Sequence, residues 1–341
     1  MELRNKMNLR FIGIILVLCG TAFGCSTKET LDTRGDAIRL GVSSVTRTVI
    51  NDLDGLRSVG DNIGIYGVRT SGHTSGSGED WSNAPFSDEA VDGGTVIMKN
   101  VRTTSIGEDG TIHWNGGYYY PIDENAGVKF CAYHPFSAAG YSVSDPAVGQ
   151  APVLNFKLNG TQDVMYALPV VGWRDKMDAT TLKFRHVLTQ LSFVMVDTEG
   201  NFVGKKLNSI VLKDVHTSGK MNIETGATTG WGTPVSLSVS DVDEIEITED
   251  AVPADEHTPA KGQKIGSEIM LQPGLNSFVV ELTIDGVGYG NITIRPSAPA
   301  VAFEAGKSYK ITLTFSQKSE IFVGATVEPW VFGGSGFVEV I

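Results

Sequence analysis

The residues able to do chemistry are few and scattered. Six histidines, His73, His113, His134, His186, His216 and His257, stand alone, none at metal-ligand spacing from another His or Cys. No H-E-x-x-H, G-x-S-x-G, P-loop or dinucleotide fingerprint occurs. His186 lies on one strand face with Phe184 and Leu188, which predicts a hydrogen-bonded core histidine. Asp241, Asp243, Glu244, Glu246, Glu249 and Asp250 offer carboxylates to a calcium ion, but the glycine and closing glutamate of an EF-hand are missing. The interleaved Val242, Ile245 and Ile247 predict instead a strand with a solvated acidic face. No catalytic pair can be named, so the expectation is a non-enzyme with no cofactor and no metal site.

Two residues are positioned for chemistry to be done on them. The first is Cys25. Arg4, Lys6 and Arg10 form a basic start, Phe11 to Leu18 an apolar run too short to span a bilayer, and Ala22-Phe23-Gly24 lead into the cysteine. Small residues before a Cys resemble the lipobox of bacterial lipoproteins, where the thiol is acylated and the cysteine becomes the mature N-terminus. Ala22 replaces the usual leucine and Phe23 is bulky; Cys19 fits less well because Leu18 precedes it. A plain secretory signal with an incidental Cys25 is the alternative. The second residue is Arg47. Ile38, Leu40 and Val42 alternate with Arg39, Gly41 and Ser43, the period-2 signature of a half-buried strand. The strand breaks at Ser43-Ser44, and Arg47 follows in Thr46-Arg47-Thr48. An arginine on such a polar break suits hydrolysis by a trypsin-like protease; the alternative is an ordinary first strand followed by a solvated arginine. Cleavage between Arg47 and Thr48 makes the strand a separate piece. A sheet that loses it exposes an apolar groove with unpaired backbone groups.

The elements that position these residues are strands. The chain has 341 residues, enough for two domains, and its formal charge of −12 argues against nucleic acid and acidic lipid as partners. Its 40 glycines suit a turn-rich β protein. Residues 26–36 read as a polar tether, followed by short strands separated by Gly, Ser, Asp and Pro clusters. Thr70–Gly94 reads as an exposed loop carrying Trp81 and Phe86. Val170–Ala179 reads as a domain junction, and Leu182–Val196 as one long central strand containing Leu188, Leu191 and Phe193. Cys131 is the lone thiol beyond Cys25, read as a quiet, partly buried side chain.

An ordered series of segments carries a family resemblance. It comprises Cys25, IRLGVSSVTR (38–47), GDNIGIYGV (60–68), YYYPID (118–123), VKFCAYHPF (128–136), DVMYA (163–167), LKFRHVLTQLSFVM (182–195), YKITLTF (309–315) and VEPW (327–330). Together these resemble the fimbrillin-like lipoproteins, the subunits of type V pili. The resemblance implies an all-β chain of two tandem transthyretin-like β-sandwich domains, with boundaries expected at 1–24 (signal), 25–47 (lipidated propeptide with the first strand), 48–175 and 176–341. It implies export to the outer membrane as a lipoprotein and cutting by an Arg-specific protease. The vacated groove then takes a donor strand from the next subunit, building a fimbrium. Arg47 matches the cleaved position. Arg34 would leave the strand attached, Arg39 lies inside it and Arg57 lies past it. The candidate donor is Glu320–Ile341, in which Ile321, Val323, Ala325 and Val327 alternate with Phe322, Gly324 and Thr326. The competing reading makes Ile321–Val327 the last strand of its own domain, as in a tip or anchor subunit. An alternative function is a surface lipoprotein that never polymerises and binds glycan or protein through Trp81, Trp231 and Tyr118–Tyr120.

Overall fold

The computed structural model describes residues 36–43, 53–73, 81, 96–144, 150–174, 180–197, 199–248, 262–316 and 320–328. In chain order these form β1 (Leu40–Ser43), α1 (Leu53–Ser58), β2 (Gly64–Thr70), β3 (Val96–Ile106), β4 (Ile112–Trp114), β5 (Gly127–His134), β6 (Ser142–Ser144), β7 (Val153–Lys157), β8 (Met165–Ala167), β9 (Val170–Trp173) and β10 (Thr180–His186). Then come β11 (Thr189–Val196), β12 (Lys206–His216), β13 (Ser218–Asn222), β14 (Thr228–Thr229), β15 (Pro234–Ser238), β16 (Ile245–Glu246), β17 (Gln263–Leu271), β18 (Phe278–Ile284), β19 (Val287–Ile294), β20 (Ser308–Ser316) and β21 (Glu320–Glu328). The chain is nearly all-β, as its patterning requires, and its sheets stack in the manner of β-sandwiches.

The first large sheet runs β1-β10-β8-β5-β2-β3-β4, with β9 also on β5. Its central strand β5, GVKFCAYH, is buried along its whole length because both faces are covered. Val128, Phe130 and Ala132 share one core with Leu40, Ile65 and Leu182. Cys131 and Tyr133 join Tyr66, Leu154, Phe156 and Met221 in a second core. That second core is covered by the small sheet β14-β13-β7-β6. A third core fills the sandwich made by the sheets β17-β11-β20-β21 and β15-β12-β18-β19, with Leu191, Phe193, Ile210, Leu282 and Ile311 buried at its centre. Cys131 is fully buried, so its thiol is shielded from oxidants.

The apolar run Leu182–Val196 is two strands in different sheets, not one. It breaks at Val187-Leu188, where Val187 N donates to Val164 O at 3.0 Å and Gly306 N donates to Leu188 O at 2.8 Å. The pattern stays apolar across the break because Val187 and Leu188 are themselves core residues, packed with Met270 from β17. Val170–Trp173, read from sequence as part of a junction, is β9, paired antiparallel with β5. β13 pairs with β7, so a strand after residue 176 completes the covering sheet of the second core.

Candidate functional site

The first strand occupies a slot. β1 lies parallel to β10, with Leu40 opposite Thr180, Gly41 opposite Thr181, Val42 opposite Leu182 and Ser43 opposite Lys183. Its other edge is bonded to the far end of the same sheet. Ile38 N donates to Tyr118 O, Tyr120 N to Asp36 O, and Val42 N to Gly110 O, each at 2.9 Å. Bridges Ala37–Tyr119 and Gly41–Thr111 run antiparallel. β1 therefore joins the two ends of the sheet, satisfying backbone groups on both walls.

The period of two sets which side chains enter. Ile38, Leu40 and Val42 are 5 %, 0 % and 7 % exposed, while Arg39 between them points to solvent. They share their core with Leu56 of α1, Ile112 of β4, Tyr120, Phe130 of β5 and Leu182 of β10. Burying three such aliphatic chains is worth roughly 5–9 kcal/mol in total. Burial also pushes the Tyr120 phenol above its ordinary pKa.

One wall is set by a tight turn. Gly110 N donates to Gly107 O at 3.0 Å, and Gly107 N to Thr111 O at 2.8 Å. The Asp109 carboxylate accepts from Thr111 N at 2.9 Å and from Thr111 Oγ1 at 2.8 Å. Those bonds, the backbone one foremost, hold its pKa below the usual carboxylate range. Gly110 has φ +82°, and a Cβ there would lie 2.8 Å from Val42 O. A side chain at 110 would strain the turn and strike the occupying strand. Gly41 is freer: its added Cβ would meet nothing nearer than Gly110 O at 3.7 Å. The constraint therefore belongs to the wall, not to the occupant.

Of the other candidate arginines, Arg39 and Arg57 lie among the described residues. Arg57 lies in α1 and pairs with Asp54 at 3.0 Å and Glu108 at 3.7 Å. Arg39 belongs to the segment running into β1. Cys25, Arg34, Arg47 and Thr48 lie outside the described residues, as does Phe337–Ile341.

Ile321, Val323, Ala325 and Val327 lie in β21, antiparallel to β20 in the register Ile321–Phe315, Val323–Leu313, Ala325–Ile311 and Val327–Tyr309. β21 is the edge strand of its sheet. Ala325 is buried in the third core, and its carbonyl accepts from Ser297 N at 3.0 Å and from Ser297 Oγ.

The aromatic residues expected at a ligand surface divide. Trp81 is buried, not presented: its Nε1 donates to Glu224 Oε2 at 2.9 Å, and the Lys129 ammonium sits 5.6 Å from its ring centre. Lys129 is buried too, and its Nζ bonds Glu224 Oε1 at 2.7 Å. The indole is thus part of the socket in which a buried lysine meets a half-buried glutamate. Tyr120 is buried, whereas Tyr118, Tyr119 and Trp231 are half-buried. In the acidic stretch, Glu244 pairs with Lys206 at 2.6 Å, and Ser267 Oγ donates to Asp241. Among the described residues no group of three or more His, Cys, Asp or Glu is placed to hold a metal ion. His186 is a core residue whose Nδ1 lies 2.5 Å from Asp163 Oδ2.

The fimbrillin-like family matches residues 46–330 of this sequence. The chain belongs to the fimbrillin-like family. Among solved structures, a candidate cell-adhesion protein from Bacteroides uniformis aligns with 19% identity and a TM-score of 0.53, covering 86% of this chain and 99% of that one. A second candidate cell-adhesion protein, from Bacteroides ovatus, aligns with 19% identity and a TM-score of 0.53, covering 88% of this chain and 99% of that one. These likenesses concern the fold. No curated protein matches the chain. Membership of the fimbrillin-like family supports an adhesion or pilus-related role at the cell surface.

Proposed function

We propose that this fimbrillin-like chain is a structural subunit of a type V fimbrium, exported as a lipoprotein acylated on Cys25 and activated by cleavage between Arg47 and Thr48. The observation that carries the reading is the seating of β1: Ile38, Leu40 and Val42 are buried in a slot whose two walls hold the strand by backbone bonds. The link from β1 to α1 runs through Arg47. Before cutting, that link holds the strand at a high effective concentration, in the mM range for a short tether. After cutting, only its own burial holds it, and a competing strand can replace it. The replacement regains the backbone ladder and the three apolar pockets. The contact is heterologous, so it propagates into an open filament.

The donated strand comes from Glu320–Ile341 of another subunit. Ile321-Phe322-Val323-Gly324-Ala325 repeats the apolar-x-apolar-Gly-apolar order of Ile38-Arg39-Leu40-Gly41-Val42. Donation of Ile321–Val327 requires that stretch to leave β20, whereas donation of residues 331–341 does not. A subunit that kept β21 at home and donated nothing would serve as tip or anchor, and the pairing of β21 with β20 favours that second reading for Ile321–Val327. The acyl chain holds the precursor to the outer membrane, and an Arg-specific protease is the processing partner.

Mass spectrometry of the protein from membranes and from sheared filaments tests the proposal. The expected result is an acylated Cys25 on the membrane form and a new N-terminus at Thr48 on the filament form. An intact N-terminus in both fractions would overturn it in favour of a surface lipoprotein that does not polymerise.

A further inference from the structure

The sequence holds two Asn-Gly pairs, Asn115-Gly116 and Asn159-Gly160. In such a pair the glycine nitrogen, unhindered by a neighbouring Cβ, can attack the asparagine side-chain carbonyl carbon and close a cyclic imide. The two glycines have nearly the same backbone, φ +98° at Gly116 and +96° at Gly160, so glycine conformation does not separate them. Their surroundings do. Asn159 is held: its Oδ1 accepts from Thr161 N at 3.0 Å, Thr161 Oγ1 at 3.1 Å and Gln162 N at 3.2 Å. Gly160 is buried, its carbonyl accepts from Met270 N at 2.7 Å, and a Cβ there would lie 3.1 Å from Ile269 Cγ1. Asn115, Gly116 and Gly117 are exposed, and among the described residues no hydrogen bond reaches the Asn115 side chain or the Gly116 N–H.

We infer that Asn115-Gly116 is a site of spontaneous covalent modification, at which Asn115 becomes aspartate and isoaspartate, and that the isoaspartyl form loosens the start of β1. The inference does not depend on strand exchange. Base removes the Gly116 N–H proton, the nitrogen bonds to Asn115 Cγ, and the side-chain nitrogen leaves as ammonia. Water then opens the imide. Opening at Cγ gives aspartate; opening at the backbone carbonyl routes the chain through Cβ and Cγ as isoaspartate. Nothing is oxidised or reduced, and water is the one co-reactant. Such a closure needs the reacting atoms about 3–3.5 Å apart, and a misplacement of about 1 Å costs on the order of 100-fold. The free Asn115 side chain can turn into that geometry, whereas the three bonds on Asn159 oppose it.

The position of the turn gives the product its effect. Asn115–Gly117 spans two fixed points: Trp114, paired with Thr103, and Tyr118, whose carbonyl accepts from Ile38 N at 2.9 Å. The turn is packed against its own tyrosines. A Cβ at Gly116 would lie 3.5 Å from Tyr118 Cε2, and one at Gly117 would lie 3.1 Å from the Tyr119 hydroxyl. Isoaspartate puts one more atom into that span and adds a carboxylate. Tyr118 then shifts against β1, and the bond from Ile38 N weakens.

The test ages the purified full chain at mildly alkaline pH and follows both Asn-Gly pairs by peptide mapping, in buffer and in urea, with Asn115→Gln alongside. In buffer the Asn115 peptide is expected to gain about 1 Da and to resolve into aspartyl and isoaspartyl forms, on the order of 100-fold faster than the Asn159 peptide. In urea, where the bonds on Asn159 are lost, the two are expected to react alike. Equal rates in buffer, or a lag of Asn159 that persists in urea, would overturn the selection by the fold. An unmodified Asn115, or aspartate without isoaspartate, would overturn the reaction. Ageing is expected to raise hydrogen exchange at Ile38 N about 2- to 10-fold, the worth of one backbone bond, and to leave it unchanged in Asn115→Gln. Exchange unaltered by ageing, or raised equally in Asn115→Gln, would overturn the loosening of β1.

Discussion

Leu40→Ala isolates the seating of the first strand. Leu40 is fully buried, at the middle of the three side chains that fill the slot, opposite Thr180 of β10. Truncation removes three carbons from a packed site and leaves a cavity, at a cost of about 2–5 kcal/mol. In the uncut chain that cost appears as more frequent opening of β1. The reporters are the amides bonded across the slot, Ile38 N, Val42 N and Tyr120 N, each at 2.9 Å from its acceptor. When exchange follows opening of β1, their hydrogen exchange should accelerate about 30- to 5000-fold, one decade for each 1.4 kcal/mol. Arg39→Ala, one residue away with its side chain in solvent, should change exchange little, its effect staying within about 0.5 kcal/mol. Acceleration below about fivefold in Leu40→Ala, or equal acceleration in Arg39→Ala, would show that the register of β1 differs from the one described.

Gly110→Val adds a side chain at φ +82° where a Cβ lies 2.8 Å from Val42 O, so it should impair occupation of the slot by any strand; uptake of an Asp36–Ser43 peptide by the cut chain, equal to that of the unsubstituted chain, would refute the steric argument. Phe193→Ala, at a fully buried site in the third core, should cost roughly 3–5 kcal/mol in urea denaturation, and a loss below about 1 kcal/mol would contradict its placement. Burial holds the His134 pKa below its ordinary value, against the opposing influence of Asp163; His186 beside it lowers it further. The folded state therefore resists a proton that the unfolded chain accepts near pH 6.5. Stability from this group is full above about pH 6.5 and falls on acidification through the depressed folded value, by at most about 1.4 kcal/mol per pH unit. His134→Gln should reduce that slope between pH 7 and 5, and unchanged slopes would refute the assignment.

How far sequence reached is best seen in β1. The alternation of Ile38, Leu40 and Val42 named the buried face correctly, because a period of two is written locally. Its partners were not legible. β10 lies about 140 residues away, and nothing in IRLGV specifies a parallel neighbour or the Gly110 carbonyl on the other edge. Run length misled at Leu182–Val196, since the residues that cross between sandwiches are as buried as the strands they join. Trp81 misled in the opposite sense. Its Gly/Ser/Asp-rich surroundings suggest exposure, but the indole is held by Glu224 and Lys129, residues distant in sequence and themselves polar. An ion pair between distant residues leaves no periodic trace, so neither Lys129 nor Glu224 is singled out by its sequence. Gly110 could have been suspected from its place in an Asp-Gly turn, but not its contact with Val42.

The central claim is that β1 is a removable occupant of its slot. Limited cleavage of the purified full chain after Arg47, followed by size analysis with and without SDS, tests it most directly. The account predicts that the N-terminal fragment separates and that SDS-resistant multimers appear as it does. A cleaved chain that keeps its fragment and remains a monomer would contradict it.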